Sequence, residues 1–191
     1  MDENELTKKY NNIYLSIIMR YRDYIEEHEG VYVTELPKLV TPSESSVQAA
    51  ASAISAGIPG YSSDQDFLQA ARLAQQYVKD KIATLSLPIQ FWQRPSETLA
   101  NGAGDPFDKA VLLCSILIAL GGVSTKVIIS ASENRRDFLV YSEYRGEFIV
   151  ADMENGVSTV KSKDEVLSYL KIDSETESVY EFNDKMYSNI E

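Results

Sequence analysis

One helix constrains the fold of this chain more than any other feature. Asp105 is a favourable N-cap residue, Pro106 is favoured at the first helical position, and Asp108 at the third position complements the helix dipole. Apolar side chains then occupy nearly every side of the helix: Val111, Leu112, Leu113, Ile116, Leu117 and Ile118. A helix that is hydrophobic all round has to be buried. The sequence therefore predicts a central helix over 106–120 that other elements cover.

A β-hairpin is predicted downstream of this helix. Residues 137–144 and 147–152 are rich in β-branched and aromatic side chains, and Arg145-Gly146 between them suits a tight turn. Residues 123–130 predict a third strand. Together these elements indicate an α+β fold, in which the central helix packs on an antiparallel sheet and a helix over 64–85 and the N-terminal third cover its other sides.

The segment that leads into the central helix carries a recognisable pattern. Its matching residues form a Trp, a Pro-x-Glu-Thr step, a Gly-x-Gly-Asp step, an acid and a Leu-Gly pair: Trp92, Pro95, Glu97, Thr98, Leu99, Gly102, Gly104, Asp105, Asp108, Leu120 and Gly121. The pattern resembles the active-site segment of the transglutaminase-like (papain-like thiol) superfamily. There the residue after Gly-x-Gly-Asp is the nucleophilic Cys, whereas this chain has Pro106. The resemblance covers about residues 61–155 and implies a transglutaminase-like core.

The hairpin carries the second half of the resemblance. When Gly146 and Phe148 are set on the superfamily's Gly and Trp, Asp152 falls on the triad Asp and Asp137 falls where the His should be. The resemblance thus implies a degenerate triad at Pro106, Asp137 and Asp152, with no intact catalytic residue. It also implies that these three positions share one cleft. Within that cleft we expect the N–H groups that begin the central helix, and not a metal ion, to hold Asp137. The candidate binding residues are Trp92, Asp105, Asp137 and Asp152.

The chain has one Cys and one His, and neither is expected to replace the missing groups. Cys114 lies two turns beyond Pro106, roughly 12 Å along the helix axis, among apolar neighbours that favour a core position. His28 follows two glutamates near the end of a predicted helix, which favours a surface position. No Cys/His set has the spacing of metal ligands. The sequence predicts neither a metal nor a cofactor.

Three hypotheses of function follow from these residues. The first is a catalytically inactive transglutaminase-like domain that acts as a protein-binding, peptide-binding or scaffolding module. The second is an enzyme with a rebuilt acidic site, in which Asp105, Asp137 and Asp152 hold a divalent cation. The third is a structural protein that forms homo-oligomers through its N-terminal helix. A solvated turn or cap role for the three acids is favoured over the metal site.

The charge of the chain excludes some partners. With 29 acidic against 18 basic residues, the net charge is −11. That balance argues against nucleic acids and anionic membranes as partners, because both require a basic face. The single Cys permits no internal disulfide, and residues 1–10 lack the apolar core of a signal peptide. A cytoplasmic protein is therefore expected.

The chain is expected to form one compact domain with three parts. Residues 1–60 form a helical extension that packs on the core, 61–155 form the core, and 156–191 form a short helix with an acidic tail. An apolar stripe marks a first helix of about six turns: Leu6, Tyr10, Ile13, Tyr14, Ile17, Ile18, Tyr21 and Ile25. We expect this stripe to pack on the chain's own domain. In the tail, 179–182 is an apolar patch that can fold back on the domain.

Overall fold

The computed structural model describes residues 3–28, 32–89, 91–132, 135–170, 172 and 178–190. The helices in these ranges are α1 (Glu3–Arg20), α2 (Arg22–His28), a 3-10 helix (Val33–Leu39), α3 (Ser45–Ser55), α4 (Ser63–Lys81), α5 (Pro95–Asn101), α6 (Pro106–Ala119) and α7 (Lys163–Leu167). The strands are β1 (Ala83–Thr84), β2 (Ala103–Gly104), β3 (Lys126–Ala131), β4 (Arg136–Tyr144), β5 (Glu147–Asp152), β6 (Gly156–Val160), β7 (Ser178–Phe182) and β8 (Tyr187–Ile190).

The main sheet has six strands in the order β6-β5-β4-β3-β7-β8, and every neighbouring pair is antiparallel. The predicted hairpin is present as β4 and β5. Its turn residues Arg145 and Gly146 both have positive φ, 54° and 79°, as a two-residue type I′ turn requires. Strands β1 and β2 form a separate parallel pair beside α6. The mixture of helices with an antiparallel sheet confirms the α+β class.

Helix α6 lies at the centre of the larger hydrophobic core. Every residue from Phe107 to Leu117 is buried, which agrees with its uniformly apolar sequence. Helices α3, α4 and α5 and strands β3 and β4 contact it. Phe182 from β7 completes this core, fully buried and with its ring centroid 6.2 Å from that of Phe107. The sequence correctly predicts the helix that organises the molecule.

The opposite face of the sheet has a smaller core and one buried acid. Val166 and Leu170 cover this face. Glu181 of β7 is only 4% exposed and accepts hydrogen bonds from Lys126 Nζ at 2.8 Å, Lys163 Nζ at 2.6 Å and Tyr141 Oη at 2.8 Å. Burial alone would raise the pKa of Glu181, but these three donors outweigh it and lower the pKa to about 2. The buried carboxylate is therefore charged and paired.

The N-terminal third divides into a packed part and an exposed part. Residues 36–58 contribute to the main core through the 3-10 helix and α3, with Leu36 and Val47 almost fully buried. Most of the described stripe is exposed, since Tyr10, Ile13, Tyr14, Ile17 and Tyr21 are each between 48% and 58% accessible, whereas Ile18 and Ile25 are half-buried. The expectation that this stripe packs on its own domain is therefore wrong for most of α1, because the described residues of both hydrophobic cores come from the 3-10 helix onward.

The C-terminal part differs most from the sequence-based expectation. Residues 178–182 form strand β7, which pairs with β3 inside the sheet, and β8 pairs with β7 in turn. Strand β6, helix α5 and the 3-10 helix were also not predicted. The short helix expected in 156–191 is present as α7, and Ser162 caps it by accepting the N–H of Glu165. Within the described ranges, no helix is long and apolar enough to cross a membrane.

Candidate functional site

Helix α6 begins with a reciprocal hydrogen-bond cap. The Asp105 side chain accepts the N–H of Asp108 at 2.8 Å, and Asp108 Oδ2 accepts the N–H of Asp105 at 2.9 Å. Pro106 follows as the first helical residue, and it is exposed. Proline suits this position because its missing N–H would have no partner within the helix. The predicted cap is confirmed, and an exposed pyrrolidine ring occupies the first turn of the helix.

Asp108 also ties the preceding connector to the helix. Its two carboxylate oxygens accept the backbone N–H of Gln93 at 2.8 Å and Gln93 Nε2 at 3.1 Å. Gln93 Nε2 donates in addition to the carbonyl of Ala103, and Gln93 Oε1 accepts Asn101 Nδ2 at 2.7 Å. This network fixes Trp92 and Gln93 beside the start of α6.

Burial and hydrogen bonding act in opposite directions on the pKa values of the two carboxyl groups of the cap. Burial raises the pKa of Asp105, against the opposing effect of backbone hydrogen bonds and of the Arg136 charge. Burial likewise raises the pKa of Asp108, against the donors of Asp105 and Gln93. Because both groups are used to fix the helix start, the geometry assigns them a positioning role.

Strand β4 presents an aromatic ring to α6. The Phe138 ring lies 5.5 Å from that of Phe107, and Phe138 packs against the main core. Successive side chains of a strand point to opposite faces. Asp137 therefore shares a face with Leu139, which belongs to the smaller core on the other side of the sheet. The residue of β4 in contact with α6 is Phe138.

Asp137 pairs with a neighbouring arginine. Its Oδ2 lies 3.0 Å from Arg135 Nε. The Asp108 N–H at the start of α6 is bonded to Asp105. The expectation that the helix N–H groups hold Asp137 is therefore wrong. Asp105, the cap residue, accepts the N–H of Asp108 in the first turn of α6. The pleat of β4 also places Asp137 on the face of the sheet opposite α6.

Asp152 closes the turn that follows β5. Its Oδ1 accepts the N–H groups of Glu154 at 2.7 Å and Asn155 at 3.0 Å, and its Oδ2 accepts Asn155 Nδ2 at 2.9 Å. Burial by itself would raise the pKa of Asp152, but the hydrogen bonds from Asn155 and Glu154 and the nearby Lys79 lower it overall. These contacts confirm the turn role that its position at a strand end predicts.

Two pockets open beside the start of α6, and Pro106 lines both. The first, of about 1000 Å³, is also lined by Trp92 and Asp105. The second, of about 780 Å³, is also lined by Asp137 and Asp152. The three positions of the degenerate triad thus line one pocket, and the four candidate binding residues are divided between two neighbouring pockets.

Sequence analysis did not single out two buried polar residues at this site. Lys109 is only 7% exposed, its Nζ donates to Thr84 Oγ1 at 2.9 Å, and it lines the second pocket. Burial lowers the pKa of Lys109, and the charge of Lys79 adds to this effect. The second residue is Gln93, whose network is described above. In the sequence, Gln93 is a polar residue next to Trp92, and Lys109 is a charged residue within an apolar helix. Residues of these types usually lie on the surface, so the sequence gives no sign that these two are buried.

Cys114 is confirmed as a core residue. It is fully buried, and burial raises the pKa of its thiol far above the ordinary value. His28 ends α2, and its side chain lies outside the described part of the structure. Among the described residues, no group of three His, Cys, Asp or Glu side chains is placed to hold a metal ion.

Comparisons with known proteins give a structural relationship only. No family model matches the sequence, and no curated protein matches it. LapG of Legionella pneumophila is similar in structure, with a TM-score of 0.50 at 15% identity over 83% of this chain and 88% of LapG. The EGTA-treated form of LapG gives a TM-score of 0.51 at 15% identity over 83% of this chain and 86% of that one. At this identity the likeness concerns the backbone, and it shows that this chain shares the α+β fold of LapG.

Proposed function

We propose that this protein is a catalytically inactive member of the transglutaminase-like superfamily that binds a peptide or protein segment in the cleft at the start of α6. The observation that carries the proposal is Pro106. It stands at the first position of a well-capped helix, exposed to two pockets, where a thiol would be required for acyl transfer. Pockets beside a helix start that has no thiol support binding without acyl transfer.

The chain's one thiol supports this proposal. Cys114 is fully buried within α6, and its raised pKa keeps it protonated at neutral pH. A nucleophile has to reach the substrate carbonyl in its ionised form. We therefore expect no amide hydrolysis or transamidation that depends on a thiol.

Binding in the cleft is measurable through a single fluorophore. Trp92 is the chain's one tryptophan, and it lines the first pocket. Excitation at a wavelength that tryptophan alone absorbs will report occupancy of that pocket. We expect saturable changes in Trp92 emission with pools of unlabelled dodecapeptides, and no cleavage of those peptides. Thiol-dependent cleavage, or no response to any pool, contradicts the proposal.

The alternative, an enzyme with a rebuilt acidic site, is less well supported by the contacts. Asp105 caps α6, Asp137 pairs with Arg135, and Asp152 closes a turn. Each carboxylate thus has a local partner. Thermal melts with Mg²⁺, Ca²⁺ and Mn²⁺ test this alternative, because a cation at a hundred times its Kd stabilises a fold by about 2.7 kcal/mol. A cation-specific rise in Tm that Asp137→Asn removes would favour the enzyme.

We also propose that α1 mediates self-association. Its apolar side chains are exposed on several sides, including Ile13, Ile17 and Met19 at 46% to 56%. A solvent-exposed helix of this length is only marginally stable on its own, and contiguous apolar surface of this kind marks an interaction site. A second copy of α1 offers a matching apolar surface, so a homo-oligomer is the partner state that we propose for this helix.

A further inference from the structure

The first pocket concentrates positive charge in an acidic protein. Among the described residues that line it, three are arginines, Arg22, Arg135 and Arg136, and one is acidic, Asp105. The whole chain shows the opposite balance, with a net charge of −11. A concave site with low-dielectric walls strengthens the local potential of its charges. Asp137 pairs with Arg135 at 3.0 Å, so three arginines still stand against two acids when Asp137 is counted with Asp105. The pocket is therefore more favourable to anionic groups than the acidic surface around it.

The three arginines come from two separate parts of the chain. Arg22 begins α2, whereas Arg136 begins β4 and Arg135 directly precedes it. The Arg135–Asp137 ion pair fixes one guanidinium at the edge of the pocket. Arg136 is exposed, and its charge acts on Asp105 at the start of α6. The N-terminal helices and the sheet thus contribute to one basic site.

The pocket also has a rigid apolar wall. Trp92 packs on Phe107 with their ring centroids 4.5 Å apart, and Phe138 packs on the same ring at 5.5 Å. Trp92, Phe138 and Pro106 line the pocket. Aromatic rings fixed in this way offer contact area at little cost in conformational entropy. An occupant that uses the whole pocket needs an apolar group as well as negative charge.

We propose that the first pocket binds an acidic peptide segment that carries an aromatic or large aliphatic side chain. Carboxylates match the planar fork of the guanidinium group, often through two parallel hydrogen bonds, and the apolar side chain packs against Trp92 and Phe138. A small inorganic anion would leave the aromatic wall and most of the volume of about 1000 Å³ unused. This inference rests on the proposed function and adds the chemistry of the partner.

Trp92 emission tests this with two dodecapeptide pools. Both pools contain Leu and Phe at the same positions, and the remaining variable positions are Glu and Asp in one pool and Gln and Asn in the other. We expect the acidic pool to bind at least tenfold more tightly, with a Kd that rises at high salt because charge attraction is screened. Equal affinity of the pools overturns the acidic preference alone and leaves cleft binding standing. No response to either pool contradicts both proposals.

Two charge-reversal variants test whether binding of the acidic pool depends on this pocket or only on the overall charge of the protein. Arg136→Glu reverses a charge in the pocket, and Arg72→Glu makes the same change at an exposed position of α4 that lines neither pocket. We expect Arg136→Glu to weaken binding of the acidic pool at least tenfold and Arg72→Glu to change it less than twofold. Equal losses in both variants, with circular dichroism unchanged, would overturn the assignment to this pocket.

Discussion

Glu181→Gln is expected to destabilise the fold by a pH-dependent amount. The Glu181 carboxylate is buried in β7 and accepts hydrogen bonds from Lys126, Lys163 and Tyr141. Its pKa falls from the ordinary 4.5 to about 2 in the folded protein. At about 1.4 kcal/mol per pH unit, this difference contributes about 3 kcal/mol to the free energy of unfolding at neutral pH.

The sign of the pH effect follows from the lowered pKa. The unfolded chain takes up a proton on Glu181 near pH 4.5, whereas the folded chain resists protonation until about pH 2. The contribution is therefore fully present above about pH 5 and is lost as the pH falls toward 2. Glutamine cannot ionise, so the stability difference between parent and variant should narrow over the same range.

Urea unfolding at a series of pH values between 7 and 2.5 measures this difference. The matched control is Glu147→Gln, which changes an exposed glutamate of β5 and should shift stability by less than about 0.5 kcal/mol. A Glu181→Gln variant whose loss is the same at every pH would refute the assignment of the effect to the buried charge. A loss below about 0.5 kcal/mol at pH 7 would refute the network itself.

Three further predictions concern the helix start, the thiol and the exposed helix. Asp105→Ala should lower the free energy of unfolding by about 1 kcal/mol because an N-cap acceptor is removed, and Asp105→Asn should restore most of it in the same urea assay. Cys114 should react with iodoacetamide only as fast as the protein unfolds, whereas a Pro106→Cys variant should be alkylated rapidly in the native state; fast labelling of the parent chain would contradict the burial of Cys114. Ile17→Glu should dissociate a homo-oligomer formed through α1, seen as a lower mass by light scattering, and Leu73→Glu on α4 should not; identical masses for parent and Ile17→Glu argue against α1 as the interface.

The elements predicted correctly from the sequence are those whose signals are local. The helix start at Asp105-Pro106 was predicted correctly, because capping depends only on residues within one helical turn. The β4–β5 turn at Arg145-Gly146 is similarly self-contained. The buried helix α6 follows from its composition, since no other environment suits it.

The errors arose where the outcome depends on distant partners. Residues 178–182 contain Glu181, whose burial is stable only beside Lys126, Lys163 and Tyr141 from other elements. Nothing within the segment itself indicates that pairing. The prediction for the stripe of α1 was wrong for a related reason. Periodicity shows that a helix has an apolar face, but it does not show which element, if any, covers that face.

The candidate site shows the same division. The capped helix start and the turn role of Asp152 were accessible from the sequence, but the side of β4 that faces α6 was not. A shift of one residue exchanges the two faces of a strand, and here Phe138 rather than Asp137 contacts Phe107. Alignment to a motif places a residue on a strand, and the pleat of the folded sheet then decides which way that residue points.

Strand β7 makes the completion of the fold depend on a segment that is synthesised well after β3. It pairs with β3 across about fifty residues of sequence and supplies Phe182 to the main core. Until β7 pairs with β3, one edge of β3 has no partner strand, and Phe107 lacks its ring contact with Phe182. During synthesis β3 therefore keeps one unpaired edge until β7 has emerged, so the nascent chain passes through a partly folded state with an exposed strand edge, which favours aggregation.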